Sequence, residues 1–450
     1  MFTMFVALVA APPLWLTNHT SQVLSIEARM LDDATPLIAT GSQYTDDPSA
    51  SSLHAKTGQP FWSSAALGEW TYGVALQLAP AKGLAAFGCP FDPEQAPVAP
   101  CEVGFWPDAT KNTLAWKRAI PGAEVSASHG PPFVGFSSDG QSIVVTFIDR
   151  NSTSSPGAEF IAVVPLQEGG KITSALLGAG LGHGLHIALG NASTSRALLS
   201  RQGSTGQAHF PVQWGPTGAI TVGSTAAIDC NGTAACGWLA ASDDFSTVVV
   251  EAAVVATGAR TACTVQPKDP NRWGFALLRG GAGEPNWPLK YKTAWAQCSD
   301  ATNGKSLTSL QLVGSRVIAS FAHVPTGTTS AVAFEACAYA ADSGAQLWCT
   351  MRKIDPPAAN GIQRIVSAHD GERAVFGVAG LGIAALDAGA EASPQIDLVY
   401  GTGAAADCCP ATALAAVGGV AVASIPYGTK SGIWCNCQHS KSVGIAIGVA

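Results

Sequence analysis

Two strings far apart in this 450-residue chain share one layout, and no other feature constrains the fold as much. They are Leu53-His54-Ala55-Lys56-Thr57-Gly58-Gln59-Pro60-Phe61-Trp62 and Tyr339-Ala340-Ala341-Asp342-Ser343-Gly344-Ala345-Gln346-Leu347-Trp348. In each, a strand end runs into a turn of Thr or Ser followed by Gly, and a Trp follows four residues later. Weaker echoes are Asp108 to Trp116, Gly203-Ser204-Thr205-Gly206 before Trp214, Gly283 before Trp287, and Asp300 to Lys305. The intervals 116 − 62 = 54 and 348 − 287 = 61 fit one four-stranded unit with long loops. Glycine enters a left-handed turn without steric cost, and Thr or Ser bonds a nearby backbone group. The Trp then enters an outermost strand and covers the crevice to the next unit, burying on the order of 150 to 250 Å². Repetition at this period predicts a ring of sheets that exposes few strand edges.

The intervening segments are short, β-rich and bounded by Gly, Asn, Asp, Ser and Pro. Ser142 to Ile148 follows the turn dipeptide Asp139-Gly140, with Phe133 to Phe136 before it, and reads as a hairpin. Similar runs are Ser246 to Glu251, Arg316 to Phe321, and Arg373 to Val378 after Asp370-Gly371. No long amphipathic helix interrupts them, so the expected fold is all-β with antiparallel sheets. A β-propeller of seven or eight four-stranded blades, stapled by disulfides, satisfies both the strands and the repeat.

Only 12% of residues are charged, about half the usual share, while hydrophobic residues reach 47% and Gly plus Pro number 49 + 28 = 77. That profile excludes coiled coils, helical bundles and disorder. The net charge of −7 leaves no basic surplus to displace counterions, which argues against nucleic acid as a partner. A mean hydropathy of +0.23 raises the question of a membrane span. The Ala- and Gly-rich runs 374–386 and 413–425 are too short and too dense in Gly for the roughly 20 apolar residues a spanning helix needs.

The N-terminus, residues 1–16, reads either as a secretory signal or as a first buried strand, with 17–450 as one domain. Twelve cysteines, an even count, include the hairpin-scale couples Cys89 with Cys101, Cys230 with Cys236, and Cys337 with Cys349. Sequons stand at Asn18, Asn151, Asn191 and Asn231. Sequons, paired cysteines and sparse charge together place the chain in an oxidising, extracellular compartment, secreted or at a cell surface.

The Thr57-Gly58…Trp62 and Ser343-Gly344…Trp348 strings resemble the repeat of the pyrroloquinoline-quinone-like β-propellers, the superfamily that includes quinoprotein alcohol dehydrogenases. The resemblance implies a ring of seven or eight blades and is compatible with scaffolds that carry no cofactor. Quinone-dependent members hold a vicinal disulfide against the cofactor, and Cys408-Cys409 offers the same pair. Here it lies near the C-terminus rather than early in the chain. The competing reading has Cys408 and Cys409 bridge separately to Cys435 and Cys437, leaving Cys263 and Cys298 as a longer-range couple.

Other chemistry-bearing patterns are weaker. Cys435-Asn436-Cys437-Gln438-His439 has ligand types for zinc but spacing shorter than zinc sites use, and an oxidising compartment favours disulfides. His183 and His186 sit in a Gly-rich stretch unsuited to a helical ligand pair. Gly304-Lys305-Ser306 lacks the earlier Gly of a phosphate loop, and no helix pattern follows it. The acidic pairs Asp32-Asp33, Asp46-Asp47 and Asp243-Asp244 read as solvated loops, and Trp106, Trp238, Trp287, Trp295 and Trp434 as packing residues rather than recognition anchors.

The residues therefore point to a glycoprotein scaffold without cofactor, metal or catalytic residues, binding a protein, a glycan or copies of itself. The rival reading is an extracellular enzyme, either a quinone-dependent oxidoreductase or a hydrolase using carboxylates.

Overall fold

A computed structural model describes residues 13–19, 23–32, 34–42, 50–64, 67, 70–77, 81–89, 100–120, 122–124, 133–137, 139–149, 159–178, 186–189, 195–203, 206–214, 219–222, 239–242, 246–251, 254–257, 260–264, 273–280, 291–299, 304–325, 331–358, 365–400, 411–431 and 434–448. Among them there is no helix, and every strand pair is antiparallel.

The chain opens with β1 (Trp15–His19), which waits for a partner until the far end. Sheet 1 then follows in chain order: β2 (Val23–Met30), β3 (Pro36–Ser42), β4 (Ala50–His54) and β5 (Pro60–Ser64). Sheet 2 repeats the pattern with β6 (Trp70–Leu76), β7 (Leu84–Cys89), β8 (Glu102–Trp106) and β9 (Trp116–Ala119). In sheet 3 the first position is split. Both β10 (Ala123–Glu124) and β11 (Val134–Phe136) pair with β12 (Ser142–Asp149), and β13 (Glu159–Pro165) and β14 (Thr173–Gly178) continue outward. Sheet 4 holds β15 (His186–Leu189), β16 (Ser195–Gly203), β17 (Gly206–Trp214) and β18 (Ile220–Val222).

Sheet 5 is interrupted differently. Its strands are β19 (Leu239–Ala241), β20 (Thr247–Glu251), β23 (Trp273–Gly280) and β24 (Tyr291–Ser299). A hairpin, β21 (Val254–Thr257) with β22 (Arg260–Thr264), is inserted between β20 and β23. Sheet 6 comprises β25 (Lys305–Val313), β26 (Arg316–His323), β27 (Ala331–Ala340) and β28 (Gln346–Ala358). Sheet 7 comprises β29 (Val366–Asp370), β30 (Arg373–Val378), β31 (Gly382–Asp387) and β32 (Asp397–Tyr400). Sheet 8 has β33 (Ala413–Val417), β34 (Val420–Ser431) and β35 (Trp434–Gly448), and its fourth strand is β1.

The hairpin expected around Asp139-Gly140 is β11 with β12, and the expected runs near 246, 316 and 373 are β20, β26 and β30. First strands lie against first strands from β2 to β6 to β11, from β15 through β19, β25 and β29 to β33, and from β33 back to β2, while sheets 3 and 4 meet through their fourth strands, β14 and β18. The apolar core is accordingly a series of seams between sheets rather than one central mass. One seam packs Phe334, Phe376, Ile318 and Trp348 between sheets 6 and 7; another packs Phe87, Val103, Ile143 and Val164 between sheets 2 and 3.

Because neighbours are antiparallel, the connections from second to third strand and from one sheet to the next leave from the same end. The longest ones are among these, as between Val222 and Leu239, although β16 passes to β17 through two residues alone; at the other end β25 turns into β26 through Gly314 and Ser315. Two disulfides fall in this scheme. Cys89–Cys101 pinches the β7–β8 connection, and Cys337–Cys349 joins paired residues of β27 and β28. Each closes a separation of 12 residues, which constrains the unfolded chain by about 3 kcal/mol.

Candidate functional site

The repeated turn explains itself at atomic scale. Gly58 N–H donates to His54 O and Gly344 N–H to Ala340 O, with φ of 68° and 72°. A side chain here would meet an indole ring at 2.6 Å, that of Trp15 over Gly58 and that of Trp295 over Gly344. Those rings come from the neighbouring sheet. Trp15 Nε1 donates to Ala55 O at 2.7 Å, and Trp62 Nε1 to Ala109 O at 2.7 Å. Trp116 Nε1 donates to Leu166 O at 3.0 Å, Trp295 Nε1 to Ala341 O at 3.1 Å, and Trp348 Nε1 to Ala390 O at 2.9 Å. Each donor sits on an outermost strand, and each acceptor sits in the next sheet's turn between third and fourth strands. Donor and acceptor share one unit at fixed spacing, since 62 − 55, 116 − 109 and 348 − 341 are all 7.

Arginines reinforce the same seams. Arg118 Nη1 donates to Pro165 O at 3.1 Å and its Nη2 to Gly170 O, while Arg316 Nη1 reaches Ala388 O and Ala390 O at 2.7 and 2.6 Å. Arg352 Nη1 donates to Ile396 O at 2.8 Å and Arg279 Nη2 to Ala341 O at 3.1 Å. Guanidinium groups suit this task because several fixed donors meet several turn carbonyls at once. Sheets 3 and 7 carry Thr173 and Asp397 seven residues after their acceptors Leu166 and Ala390, so neither sends an indole onward from that position.

A compact group of charges lies at the longer-connection end of sheet 6. Lys305 begins β25, His323 ends β26, and Glu335 sits near the start of β27. Register pairs Lys305 with His323 and Phe321 with Glu335, which brings all three side chains to the face turned toward sheet 5. Glu335 Oε2 accepts from Lys305 Nζ at 2.7 Å and lies 2.5 Å from His323 Nε2. The Glu335 side chain is 11% exposed and that of Lys305 17%. Burial alone would raise the Glu335 pKa, but hydrogen bonds from His323 and Lys305, and their charges, outweigh it and hold it below its usual value.

Phe321 lies under the ammonium at 4.8 Å, and Trp273 of sheet 5 packs against Phe321 in a tilted arrangement with ring centroids 4.7 Å apart. Tyr339, buried on the same face, has its phenol pushed up by burial and by Glu335. Glu335, Cys337 and Cys349 are close enough to suggest a cation site. The two sulfurs are bonded to each other, so the donor set does not suit a metal.

The sequence-derived sites fall out as follows. Cys89, Cys101, Cys337 and Cys349 pair as expected, and Cys298 is also disulfide-bonded. Cys263 lies on β22, and Cys435 and Cys437 on β35, where side chains are not described. Cys230, Cys236, Cys408 and Cys409 lie outside the described residues, as do Asn151, Asn191, Asn231 and His183. Asn18 is on β1 opposite Val443, His186 is on β15, and His439 is on β35.

Two echoes of the repeat are not turns of that kind. Gly203 and Gly206 join the second and third strands of sheet 4, so Trp214 ends a third strand. Gly304-Lys305 enters the innermost strand of sheet 6, and Lys305 is an ion-pair partner. The two differences share one physical reason: a Gly-rich turn has the same local sequence at either end of a sheet. The Trp that sheet 5 sends to sheet 6 is Trp295, whereas Trp287 lies outside the described residues. Trp106 is fully buried and stacks on Trp62 at 5.0 Å, a packing role as expected. Asp32 accepts from Ala34 N and Thr35 N, which makes it a turn cap.

No family model matches this chain, and no curated protein matches it. Among solved structures it is similar to a chain described as "Structure of U3-55K", at 10% identity, covering 96% of this chain and 98% of that one, with a TM-score of 0.42.

Proposed function

We propose that this chain is a closed, eight-bladed β-propeller of the pyrroloquinoline-quinone-like type that serves as an extracellular, glycosylated scaffold for a protein or glycan partner, or for copies of itself. One observation carries the reading: each sheet contacts the next in chain order, and β1 completes the last sheet by pairing with β35. A ring joined through its two chain ends is rigid where the sheets meet and leaves sequence variation to the connections.

The longest connections, such as that between β18 and β19, leave from one end of the sheets. Sequons Asn151 and Asn231 belong to connections at that end, between β12 and β13 and between β18 and β19. Cys89–Cys101 and Cys337–Cys349 support an oxidising compartment. Non-reducing mass analysis is expected to find all twelve cysteines bonded; free thiols at most positions would overturn the compartment. Absorbance spectra and metal analysis of purified protein test the scaffold itself, and one equivalent of a quinone or a metal would replace it with the enzyme reading.

A further inference from the structure

Glu335 turns its two oxygens to different neighbours. Oε2 meets Lys305 Nζ at 2.7 Å and His323 Nε2 at 2.5 Å. Oε1 faces Cys337 Sγ at 3.5 Å, and that sulfur is bonded to Cys349. A carboxylate oxygen of Glu335 and the sulfurs of Cys337 and Cys349 all lie within 4.8 Å of one another. While the bridge is closed the sulfurs are not ligands, because a metal takes thiolates.

The bridge joins residues that the strand ladder already holds face to face. Cys337 pairs with Cys349, with Cα atoms 4.1 Å apart, between the pairs Ala336 with Thr350 and Ala338 with Trp348. Reduction therefore leaves the two sulfurs side by side, positioned by β27 and β28 rather than by their own bond. Glu335 remains on the same face, two residues before Cys337, because side chains alternate along a strand. Two sulfurs and one oxygen fill three positions of a tetrahedral zinc site, and water takes the fourth.

The charges suit that ion. Zn²⁺ with two thiolates and one carboxylate carries −1, and the Lys305 ammonium on Oε2 returns the group to zero. In the bridged form Glu335 and Lys305 also sum to zero. Neither form leaves these groups with a net charge in the seam, where Cys337 packs with Phe275, Trp295 and Tyr339. Lys305 also fixes the carboxylate from its far oxygen, as outer partners do around a metal. Cys89–Cys101 closes the same separation of 12 residues, yet among the described residues no such group of three donors forms around it.

We infer that Cys337, Cys349 and Glu335 form a zinc site that becomes available when a dithiol reduces the bridge. Cys349 is the partly exposed sulfur, and Met351 beyond it is 62% exposed, so a thiolate arrives there. The attacking thiolate bonds to Cys349 Sγ, the Cys337–Cys349 bond breaks, and Cys337 leaves with the electron pair and takes a proton. The second thiol of the reductant then displaces Cys349, so the reductant ends as a disulfide and the protein as two thiols. Zinc binding releases both thiol protons. The inference rests on sheet 6 alone. Protein purified with its bridges intact is expected to hold none of this zinc, so the metal analysis that tests the scaffold reading stays separate.

Site-resolved alkylation of the full chain tests it. The protein is reduced with dithiothreitol, freed of it under argon, and treated with iodoacetamide over a range of zinc chloride concentrations, with peptide mass spectrometry reading each cysteine. Zinc is expected to slow alkylation of Cys337 and Cys349 about tenfold, because a bound thiolate does not react, and to leave Cys89 and Cys101 unchanged. In Glu335→Gln the zinc concentration that gives half protection should rise about tenfold. Absence of protection at Cys337 and Cys349, equal protection at all four cysteines, or an unchanged midpoint in Glu335→Gln would overturn the inference. A reduced chain that unfolds loses the contrast and overturns it too. Should Glu335→Gln fail to fold, the wild-type contrast between the two pairs still decides.

Discussion

Replacing Trp62 by Phe should cost distinctly more stability than replacing Trp348 by Phe, although both are equivalent positions of one repeat. Each substitution removes an indole hydrogen bond worth about 1 kcal/mol net. Each also removes apolar contact; about 40 Å² at roughly 25 cal/mol per Å² gives about 1 kcal/mol. The difference lies at the acceptor. Ala390 O keeps a bond from Arg316 Nη1 at 2.6 Å when Trp348 is lost. Ala109 O has no second donor among the described residues once the 2.7 Å bond from Trp62 is gone, and a buried carbonyl without a partner adds about 1 to 2 kcal/mol. The expected losses are therefore about 2 kcal/mol for Trp348→Phe and about 3 to 4 kcal/mol for Trp62→Phe. Urea unfolding followed by far-UV circular dichroism, which does not depend on tryptophan emission, reads both as midpoint shifts at constant slope. Equal losses, or the larger loss at Trp348, would refute the assignment of the acceptor as the deciding atom.

Three further outcomes are expected. Gly344→Ala, whose new methyl meets the Trp295 ring at 2.6 Å, should lose about 2 to 4 kcal/mol in the same assay. Gly371→Ala, also at positive φ but with nothing within 4 Å, should lose only about 1 to 2 kcal/mol, and parity between the two would contradict the ring contact. The depressed Glu335 pKa contributes stability that is present above the unfolded-state value and is lost as pH falls through the lower folded value. Glu335→Gln should thus be less stable at neutral pH and show a flatter acid limb below about pH 4.5 in thermal melts; an unchanged limb would place the acid sensitivity elsewhere. Deleting residues 1–19 removes β1 and leaves the 15-residue β35 as an open edge, so light scattering should report concentration-dependent association. A monodisperse, fully folded truncation would refute the role of β1 as the closing strand.

What the sequence displayed was whatever is local. Thr57-Gly58 and Ser343-Gly344 mark their turns because the conformation demands a glycine there, and Trp62 and Trp348 follow at a distance fixed by the strand. Sheet 8 escaped notice because its latch, Trp15, precedes the first repeat while the rest of that sheet ends the chain. The acceptors were also hidden, since they are backbone carbonyls of ordinary alanines, and so were Arg118, Arg316 and Arg352, whose partners lie 44 to 74 residues away. The Lys305, His323 and Glu335 group needs the register of three strands, which neither periodicity nor composition encodes. In the sequence Lys305 stands only in Gly304-Lys305-Ser306, a string whose local pattern points to no partner. Sheet 5 conceals its period behind the inserted β21–β22 hairpin, which stretches its second-to-third connection beyond that of any repeat used to count units.

The constant offset of seven between socket and plug has a genealogical consequence. A segment that contains both the alanine carbonyl and the tryptophan is interchangeable: spliced between any two latched neighbours, it receives an indole on one side and extends one on the other. Lineages of this architecture can thus gain or shed whole segments without redesigning their junctions. A segment such as sheet 7, which accepts at Ala390 but carries Asp397 where the plug would stand, marks a place where that interchange stops and a junction of its own must be kept.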